Sequence, residues 1–240
     1  MMPRTAPRDQ PPATTPAPAP AATQPRSLAR VLASPRVRLG AGAAVVAVTA
    51  LAAVRHRQVS PWEAGAFRAV NGLPSSVYPA VWACMQLGAF GSAPAAAGAA
   101  WLAGEHELAA RLLASGVGTW ALAKLVKQVV RRPRPGALLP GIRCRGRPAA
   151  GLGYLSGHAG VAAALGAAAF PRLGRGGRVL VLIAVPAVGL TRIYTGAHLP
   201  LDIAGGVAFG LAVEAAVTLV TGRTTGPGPR HERLTAPVRR

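Results

Sequence analysis

The chain of 240 residues is long enough for one sizeable domain, and 51% of its residues are hydrophobic while only 14% are charged. Its 27 lysines and arginines against 7 aspartates and glutamates give a formal net charge of +20, and a basic excess on an apolar chain favours a membrane protein with basic loops over a nucleic-acid-binding protein. The scarcity of carboxylates excludes the usual magnesium and calcium sites and the paired-acid chemistry of glycosidases.

Both ends of the chain have the composition of disordered tails. Residues 1–35 are rich in proline, alanine and threonine and contain almost no large apolar side chains. Such a segment cannot bury enough surface to offset the entropy lost on ordering. Residues 222–240 have the same character, with glycine, proline and arginine. We therefore expect one folded domain at 36–221.

Apolar segments within this domain predict membrane-spanning helices. Leu39–Val54 has no charged residue and is interpreted as a retained helix, with a cleaved secretory signal as the alternative. Ser60–Gly72 predicts an amphipathic segment at the membrane interface. Residues 69–104 carry no charge and are interpreted as one long span ending near Trp101, with a break near 91–94 as the alternative.

Four more apolar segments follow, and they bring the predicted number of spans to six. The first covers residues 108–130, where charges occur only near the ends. The others start after Gly157, after Arg178 and near Pro200, and the last ends near Thr221. The sequence therefore predicts an all-α polytopic membrane protein, a bundle of six transmembrane helices.

The basic residues predict the orientation of this bundle. With six spans, the N-terminal tail, the loop Arg172–Arg178 and the C-terminal tail lie on one side, and the positive-inside tendency makes that side the cytoplasm. The segment Arg131–Arg147 is also strongly basic, although the span count places it outside. We interpret this exception as a binding site for an anionic group.

The first of three polar segments at predicted helix ends carries Lys127 and Arg134. A planar guanidinium and a compact ammonium together suit the oxygens of a phosphoryl group. A basic flank that simply ends a membrane helix would have the same composition, so this segment alone does not decide between the two interpretations.

The second segment carries Ser156, Gly157 and His158 just before an apolar run. Free backbone N–H groups at a helix start form an anion site, because the helix dipole lies behind them. His158 falls in the first turn, where it can transfer a proton near neutral pH. A serine N-cap beside an interfacial histidine is the alternative interpretation.

The third segment carries Arg192, His198 and Asp202. His198 and Asp202 are four residues apart, so on a helix they share a face. Asp202 can then accept a hydrogen bond from one ring nitrogen and leave the other free as a nucleophile or base, as in a catalytic triad. A purely structural histidine–aspartate pair is the alternative.

Together the three segments, Lys-x6-Arg-Pro, Ser-Gly-His and Arg-x5-His-x3-Asp, resemble the motifs of the type 2 phosphatidic acid phosphatase (PAP2) superfamily, in its integral membrane lipid phosphatase branch. The resemblance covers roughly residues 36–221. Two positions depart from the family pattern, with Leu155 where the family usually has proline and Thr191 where it usually has serine. Neither departure removes a group that the chemistry needs, since threonine keeps the hydroxyl and the proline supplies only backbone shape.

The resemblance implies a six-helix core and a phosphatase that uses no metal and no cofactor. His198 would attack phosphorus and form a phosphohistidine, and Asp202 would orient the imidazole. His158 would protonate the leaving oxygen and then activate water. The phosphate would be held by Lys127, Arg134, Ser156, Gly157 and Arg192.

The implied substrate is a lipid-linked phosphate or diphosphate, hydrolysed at the outer face of the cytoplasmic membrane. Undecaprenyl diphosphate, phosphatidic acid and phosphatidylglycerophosphate are the candidates. The first is favoured because an arginine-, alanine- and glycine-rich composition is typical of a GC-rich bacterial genome. Partners are then the lipid substrate and the bilayer, without nucleic acid, and no oligomeric state is predicted. The alternatives are a phosphotransferase of the same fold with an alcohol acceptor and a catalytically silent membrane binding protein.

Overall fold

The computed structural model of the protein describes residues 34–55, 59–147 and 149–222. Within these ranges the chain forms helices and connecting segments without strands, which confirms the predicted all-α class. The two predicted disordered tails lie outside the described residues, apart from the few that border the first and last helices.

The helices of the described chain are named α1 to α9. They are α1 (Pro35–Arg55), α2 (Pro61–Asn71), α3 (Tyr78–Met85), α4 (Ser92–Leu102), α5 (His106–Val130), α6 (Pro135–Leu138), α7 (Gly157–Ala169), α8 (Arg175–Tyr194) and α9 (Pro200–Thr221). Among the described residues, α1, α8 and α9 are the helices that are long and apolar enough to cross a membrane. The predicted amphipathic segment forms α2.

The predicted single span over residues 69–104 is wrong. The chain is interrupted between α2 and α3 and again between α3 and α4. Pro94 lies in the first turn of α4, and proline disfavours a continuous helix because it lacks an N–H and clashes with the carbonyl four residues earlier. At the second break, Gly88 packs against α7. A Cβ on Gly88 would lie 2.4 Å from the carbonyl oxygen of His158.

Small residues let α9 pack closely against α7. A Cβ on Gly210 would lie 2.0 Å from the carbonyl oxygen of Gly160. Glycine at such a crossing permits the close backbone approach that stabilises helix pairs in lipid. The contact matters for the site because α7 carries His158 and α9 carries Asp202.

Gly210→Ala is expected to destabilise the protein by about 1–3 kcal/mol, because the added methyl group has to push the two helices apart. Thermal unfolding in detergent measures the effect. Gly98→Ala in α4 is the matched control, since a Cβ there would meet nothing within 4 Å and alanine is the better helix former. Equal unfolding temperatures for the wild type and Gly210→Ala would contradict the close crossing.

Glu214 is fully buried in α9 and pairs with arginines from two other helices. Its carboxylate accepts hydrogen bonds from Arg38 of α1 and Arg111 of α5, both at 2.5 Å, and from Thr218 at 2.8 Å. These contacts show that Glu214 pairs inside the bundle. At 1.5 Å per residue it lies about 18 Å along α9 from Asp202.

Candidate active site

Four helix ends meet on one side of the bundle and bring the predicted site residues together. The N–H of Ser156, before α7, donates to the carbonyl oxygen of Asp202 in α9 at 2.9 Å. The N–H of His198 donates to the carbonyl oxygen of Arg192 in α8 at 3.2 Å. Arg134, after α5, donates through Nη1 to the carbonyl of the residue before His198 at 2.8 Å. The three motifs therefore form one site.

His198 and Asp202 form the buried centre of this site. Nδ1 of His198 lies 3.5 Å from Oδ2 of Asp202, and the side chains are 4% and 0% exposed. The spacing prediction of a contact is confirmed, but the distance exceeds hydrogen-bond length and Nδ1 has no hydrogen-bond partner. Oδ2 instead accepts the N–H of Leu199 at 2.9 Å, which places Asp202 at the start of α9 as a cap.

The environment of His198 favours the neutral imidazole. Burial, with a smaller contribution from the charges of Lys127 and Arg192, lowers the pKa of His198 to about 4, against the opposing effect of Asp202. A histidine that lies between two helices and stays unprotonated at neutral pH keeps a lone pair available for attack.

We expect the His198 imidazole to protonate only as the pH falls to about 4, whereas an unperturbed histidine protonates near 6.5. Since only the neutral imidazole keeps a free lone pair, the neutral fraction approaches one well above this midpoint and falls about tenfold per pH unit well below it. Titration of ¹⁵N-labelled imidazoles by NMR, with His198→Gln to assign the signal, measures the midpoint. A midpoint at 6.5 would contradict the buried, cation-flanked environment.

Lys127 connects the end of α5 to the loop that precedes Ser156. Its Nζ donates to the carbonyl oxygens of Leu152 at 3.3 Å, Gly153 at 3.0 Å and Leu155 at 2.6 Å. An ammonium has three N–H donors, so all of them are engaged by this loop. Lys127 therefore contributes its charge to the site and holds the backbone from which Ser156 and α7 begin.

Arg134 and Arg192 retain donors for an anion. Arg134 uses Nε on the carbonyl oxygen of Ala150 at 2.9 Å and Nη1 on the backbone next to His198, and its Nη2 makes no hydrogen bond within the described chain. Arg192 has a buried Nε without a hydrogen-bond partner, and its Nη1 contacts Sδ of Met85. Buried guanidinium donors without partners are costly unless a ligand satisfies them.

Ser156 and Gly157 form the helix start that the sequence predicted. Ser156 is the N-cap of α7, and its Oγ accepts the N–H of Ala159 at 3.4 Å. The N–H groups of the first turn have no partner within a helix, so those of Gly157 and His158 are available to an anion. His158 is half-buried and within electrostatic range of Lys127 and Arg192.

A cavity of about 340 Å³ is lined by one residue from each of the three motifs. Its lining includes Arg134, His158 and Arg192 from the motifs and Arg145 and Arg147 from the basic segment. None of the described residues that line it is a carboxylate, so the cavity suits an anion rather than a metal cation. Across the described ranges, no group of three or more histidine, cysteine, aspartate or glutamate side chains is placed to hold a metal ion.

Arg132 contacts Asp202 of the site and Glu63 contacts it through Arg132, although neither is among the site residues that the motifs predicted. Arg132 donates to Glu63 through Nη1 at 3.0 Å and Nη2 at 2.6 Å, and to Oδ1 of Asp202 at 2.9 Å. Glu63 also accepts the N–H of Leu201 at 3.0 Å. All three side chains are at most 5% exposed. The interfacial helix α2 is thereby coupled to Asp202.

Asn71 fixes the other end of α2 to the basic segment, a contact that sequence reasoning missed. Its Nδ2 donates to the carbonyl oxygens of Arg143 at 2.8 Å and Tyr194 at 3.0 Å, and its Oδ1 accepts the N–H of Arg143 at 2.8 Å. Arg145 also donates to Tyr194, at 2.7 Å. The signal that the sequence offered was an uncharged polar asparagine at the end of a segment of interfacial composition.

Comparison with known proteins supports the resemblance that the three motifs indicate. The chain is 39% identical over 116 residues to the decaprenylphosphoryl-5-phosphoribose phosphatase of Mycobacterium tuberculosis, in strains CDC 1551 and H37Rv. The match includes 46% of this chain and 61% of the relative, so the chain spans about three fifths of the length of the curated relative it matches.

The fold also has a solved counterpart. The crystal structure of Aquifex aeolicus LpxE superimposes with a TM-score of 0.62 at 18% sequence identity, over 68% of this chain and 98% of that chain. At this identity the likeness shows a shared fold. The family model of the PAP2 superfamily matches residues 108–225, which contain all three motifs. The resemblance inferred from the motifs is therefore confirmed over residues 108–225, which match the PAP2 superfamily model.

Proposed function

We propose that the protein is a membrane phosphatase that hydrolyses a lipid-linked phosphate through a phosphohistidine on His198, without a metal. The observation that carries this proposal is that His158, Arg134 and Arg192 line one cavity, which reaches Ala197 directly before the buried His198–Asp202 pair. Phosphoryl transfer depends mostly on positioning and on stabilising charge, and these residues offer both.

In the first step, Nε2 of His198 attacks phosphorus while the bond from phosphorus to the leaving oxygen breaks. His158 gives its proton to that oxygen, so the product leaves as an alcohol. Arg134, Arg192 and the N–H groups at the start of α7 hold the non-bridging oxygens. The imidazolium that forms on His198 is stabilised by Asp202, whose 3.5 Å separation needs to shorten by only a few tenths of an ångström to form a hydrogen bond.

In the second step, a water molecule attacks the phosphohistidine. His158, now neutral, takes a proton from this water, the bond between phosphorus and His198 breaks, and inorganic phosphate leaves. Both histidines return to their starting protonation states. The arginines of the cavity attract the doubly charged phosphate product and slow its exchange with solvent. Salt screens this attraction, so the rate of product release is expected to depend on ionic strength.

The substrate class follows from the relative and from the cavity. The relative's name states that it acts on a decaprenylphosphoryl phosphoribose. Such a molecule carries a terminal phosphate, a sugar and a second phosphate joined to a long apolar chain. A cavity of about 340 Å³ that is lined by Arg145 and Arg147 as well as Arg134 and Arg192 has room and charge for more than one anionic group. We therefore favour a polyprenyl-linked sugar phosphate over undecaprenyl diphosphate and the glycerolipids.

The topology that we propose keeps six passes through the membrane. α1, α5, α7, α8 and α9 each make one pass, and α3 with α4 makes the broken second one. The site then lies at the outer face of the cytoplasmic membrane, opposite the basic loop Arg172–Arg178. The arginines of Arg131–Arg147 do not oppose this orientation, because Arg132 and Arg134 are engaged inside the site.

Phosphate release by the purified protein in detergent, with EDTA present, tests the proposed function. The panel contains a polyprenyl-phosphoryl phosphoribose, undecaprenyl diphosphate, phosphatidic acid and phosphatidylglycerophosphate. We expect EDTA-resistant release that is fastest from the sugar phosphate. Preference for another lipid would change the proposed substrate. Absence of phosphate release from the whole panel would overturn the proposed phosphatase activity.

A further inference from the structure

Glu63 is buried in the first turn of α2, although glutamate side chains are mostly exposed in folded proteins. Its side chain is 1% exposed. Within the described chain its hydrogen bonds go to the guanidinium of Arg132 and to the N–H of Leu201 in α9. The carboxylate therefore connects α2 to the end of α5 and the start of α9, instead of capping its own helix.

The partners of Glu63 indicate that its carboxyl group is ionised. Oε1 accepts hydrogen bonds from Nη1 of Arg132 and from the N–H of Leu201, both at 3.0 Å. Oε2 accepts from Nη2 of Arg132 at 2.6 Å. Each of these partners is a donor, whereas a protonated carboxyl group would need an acceptor for its own proton. The buried carboxylate is thus held as an anion by a paired cation.

Arg132 is shared between two carboxylates, so Glu63, Arg132 and Asp202 form a cluster with one net negative charge. We call it the acid–arginine cluster. Nη1 of Arg132 lies 3.0 Å from Glu63 and 2.9 Å from Oδ1 of Asp202. Burial by itself lowers the pKa of Arg132, but the hydrogen bonds and charges of the two carboxylates outweigh it and raise this pKa above the ordinary value. The other oxygen of Asp202 faces Nδ1 of His198 at 3.5 Å.

Without the charge of Glu63, Arg132 and Asp202 would form a neutral pair. A guanidinium fork matches both oxygens of one carboxylate, and Nη2 of Arg132 would be free to bind Asp202 in this way. Oδ2 of Asp202 would then turn from His198 toward Arg132. Glu63 prevents this turn because it occupies both ends of the fork. In a buried site such a change of charge is felt strongly, since little water screens it.

We propose that Glu63 is a positioning residue for the reaction, which acts on His198 through Arg132 and Asp202. This inference rests on the proposed function and adds to it a residue outside the three motifs. Glu63 restrains Arg132, so that Asp202 keeps one oxygen toward the imidazole. The net negative charge of the acid–arginine cluster then balances the positive charge that develops on His198 when Nε2 attacks phosphorus.

Glu63→Gln tests the charge, because glutamine has nearly the same shape as glutamate and is neutral. With a polyprenyl-phosphoryl phosphoribose as substrate, kcat is expected to fall about tenfold, which corresponds to one pKa unit of lost imidazolium stabilisation, while KM stays within about twofold. Glu105→Gln is the matched control. It removes a carboxylate that pairs with Arg172 beyond the opposite end of α5, and it should leave kcat unchanged.

NMR titration of the His198 imidazole gives a readout with a sign for each variant. Loss of a negative charge disfavours the imidazolium, so Glu63→Gln is expected to lower the midpoint below the wild-type pKa of about 4, and Arg132→Gln to raise it. In Glu63→Gln/Arg132→Gln both charges are absent, and the midpoint should return close to the wild-type value. The charged or titratable groups around His198 that stay the same in all variants are Asp202, Lys127, Arg134, His158 and Arg192.

The results separate this proposal from the proposed function. Midpoints that move in the same direction in both single variants, or an unchanged midpoint and kcat in Glu63→Gln, would overturn the role of Glu63 while the wild type remained a phosphatase. Absence of phosphate release from the wild type would count against the phosphatase, and the titration would still decide whether Glu63 and Arg132 set the charge at His198.

The double variant also decides the matter if a single variant does not fold. Thermal unfolding in detergent identifies the folded variants. Glu63→Gln/Arg132→Gln removes a carboxylate and a guanidinium together, so it keeps the net charge of the cluster and avoids an unpaired Glu63. A His198 midpoint close to that of the wild type would support the proposal. A midpoint far from it would show that the pair does not act through its charge and would overturn the proposal.

Discussion

His198→Ala is expected to lower the rate of phosphate release about 10⁴-fold or more, because the proposed phosphohistidine forms on this imidazole. His198 is nearly fully buried and its Nδ1 faces Asp202. A water molecule in the space that alanine leaves would not reproduce this oriented imidazole. The loss should appear in kcat as well as in kcat/KM. Phosphate release from the preferred lipid under saturating conditions measures it.

Two other histidine variants separate chemistry from folding. His158→Gln is expected to lower kcat by about 10²–10⁴-fold, the usual contribution of a general acid and base. His106→Ala, in the exposed first turn of α5, should leave the rate unchanged. Activity of His198→Ala comparable with that of the wild type would exclude the covalent mechanism.

Arg132→Met is expected to destabilise the protein by about 3–5 kcal/mol, since the substitution leaves two buried carboxylates without their shared cation. In the wild type, Glu63 and Asp202 approach Arg132 within 2.6 Å and 2.9 Å. Activity should fall as well, because Asp202 loses the contact that fixes Oδ1. Thermal unfolding in detergent and phosphate release measure the two effects.

The double variant Glu63→Leu/Arg132→Met tests the assignment more sharply than either single change. It removes the cation together with one of the two carboxylates, so it should be more stable than Arg132→Met alone. Contacting residues in one ion-pair network typically couple by about 0.5–3 kcal/mol. Additive effects of the two substitutions would contradict a shared network.

The sequence predicted the local geometry of the site well because that geometry is set within a few residues. Spacing four residues apart predicted the contact between His198 and Asp202, which the structure confirms at 3.5 Å. Ser156 was expected at a helix start and is the N-cap of α7. Both predictions depend on helix geometry within one turn, which does not require knowledge of the fold.

The contacts that the sequence did not predict connect distant segments. Glu63 lies 69 residues before Arg132, and the hydrogen bonds between them depend on how α2 packs against the bundle. An arginine at the end of a membrane helix has the same appearance in a sequence whether it faces solvent or a buried carboxylate. The pairing of Glu214 with Arg38, over 176 residues, has the same explanation.

The interpretation of residues 69–104 as one span was wrong for a related reason. An uncharged segment indicates residence in an apolar environment, but it does not indicate where a helix stops. The interruption before α4 depends on Pro94 and on the approach of Gly88 to α7, and this approach is set by packing. Local composition therefore predicted the class of the fold, whereas the positions of the helix breaks required the structure.

Trapping the covalent intermediate tests the central claim most directly. The protein is mixed with a substrate that carries ³²P in its terminal phosphate, quenched in alkali, which preserves phosphohistidine, and digested. We predict label on the peptide that contains His198, with none in His198→Ala. Turnover of the substrate by the wild type without label on any peptide, or with label on His158 alone, would contradict the account.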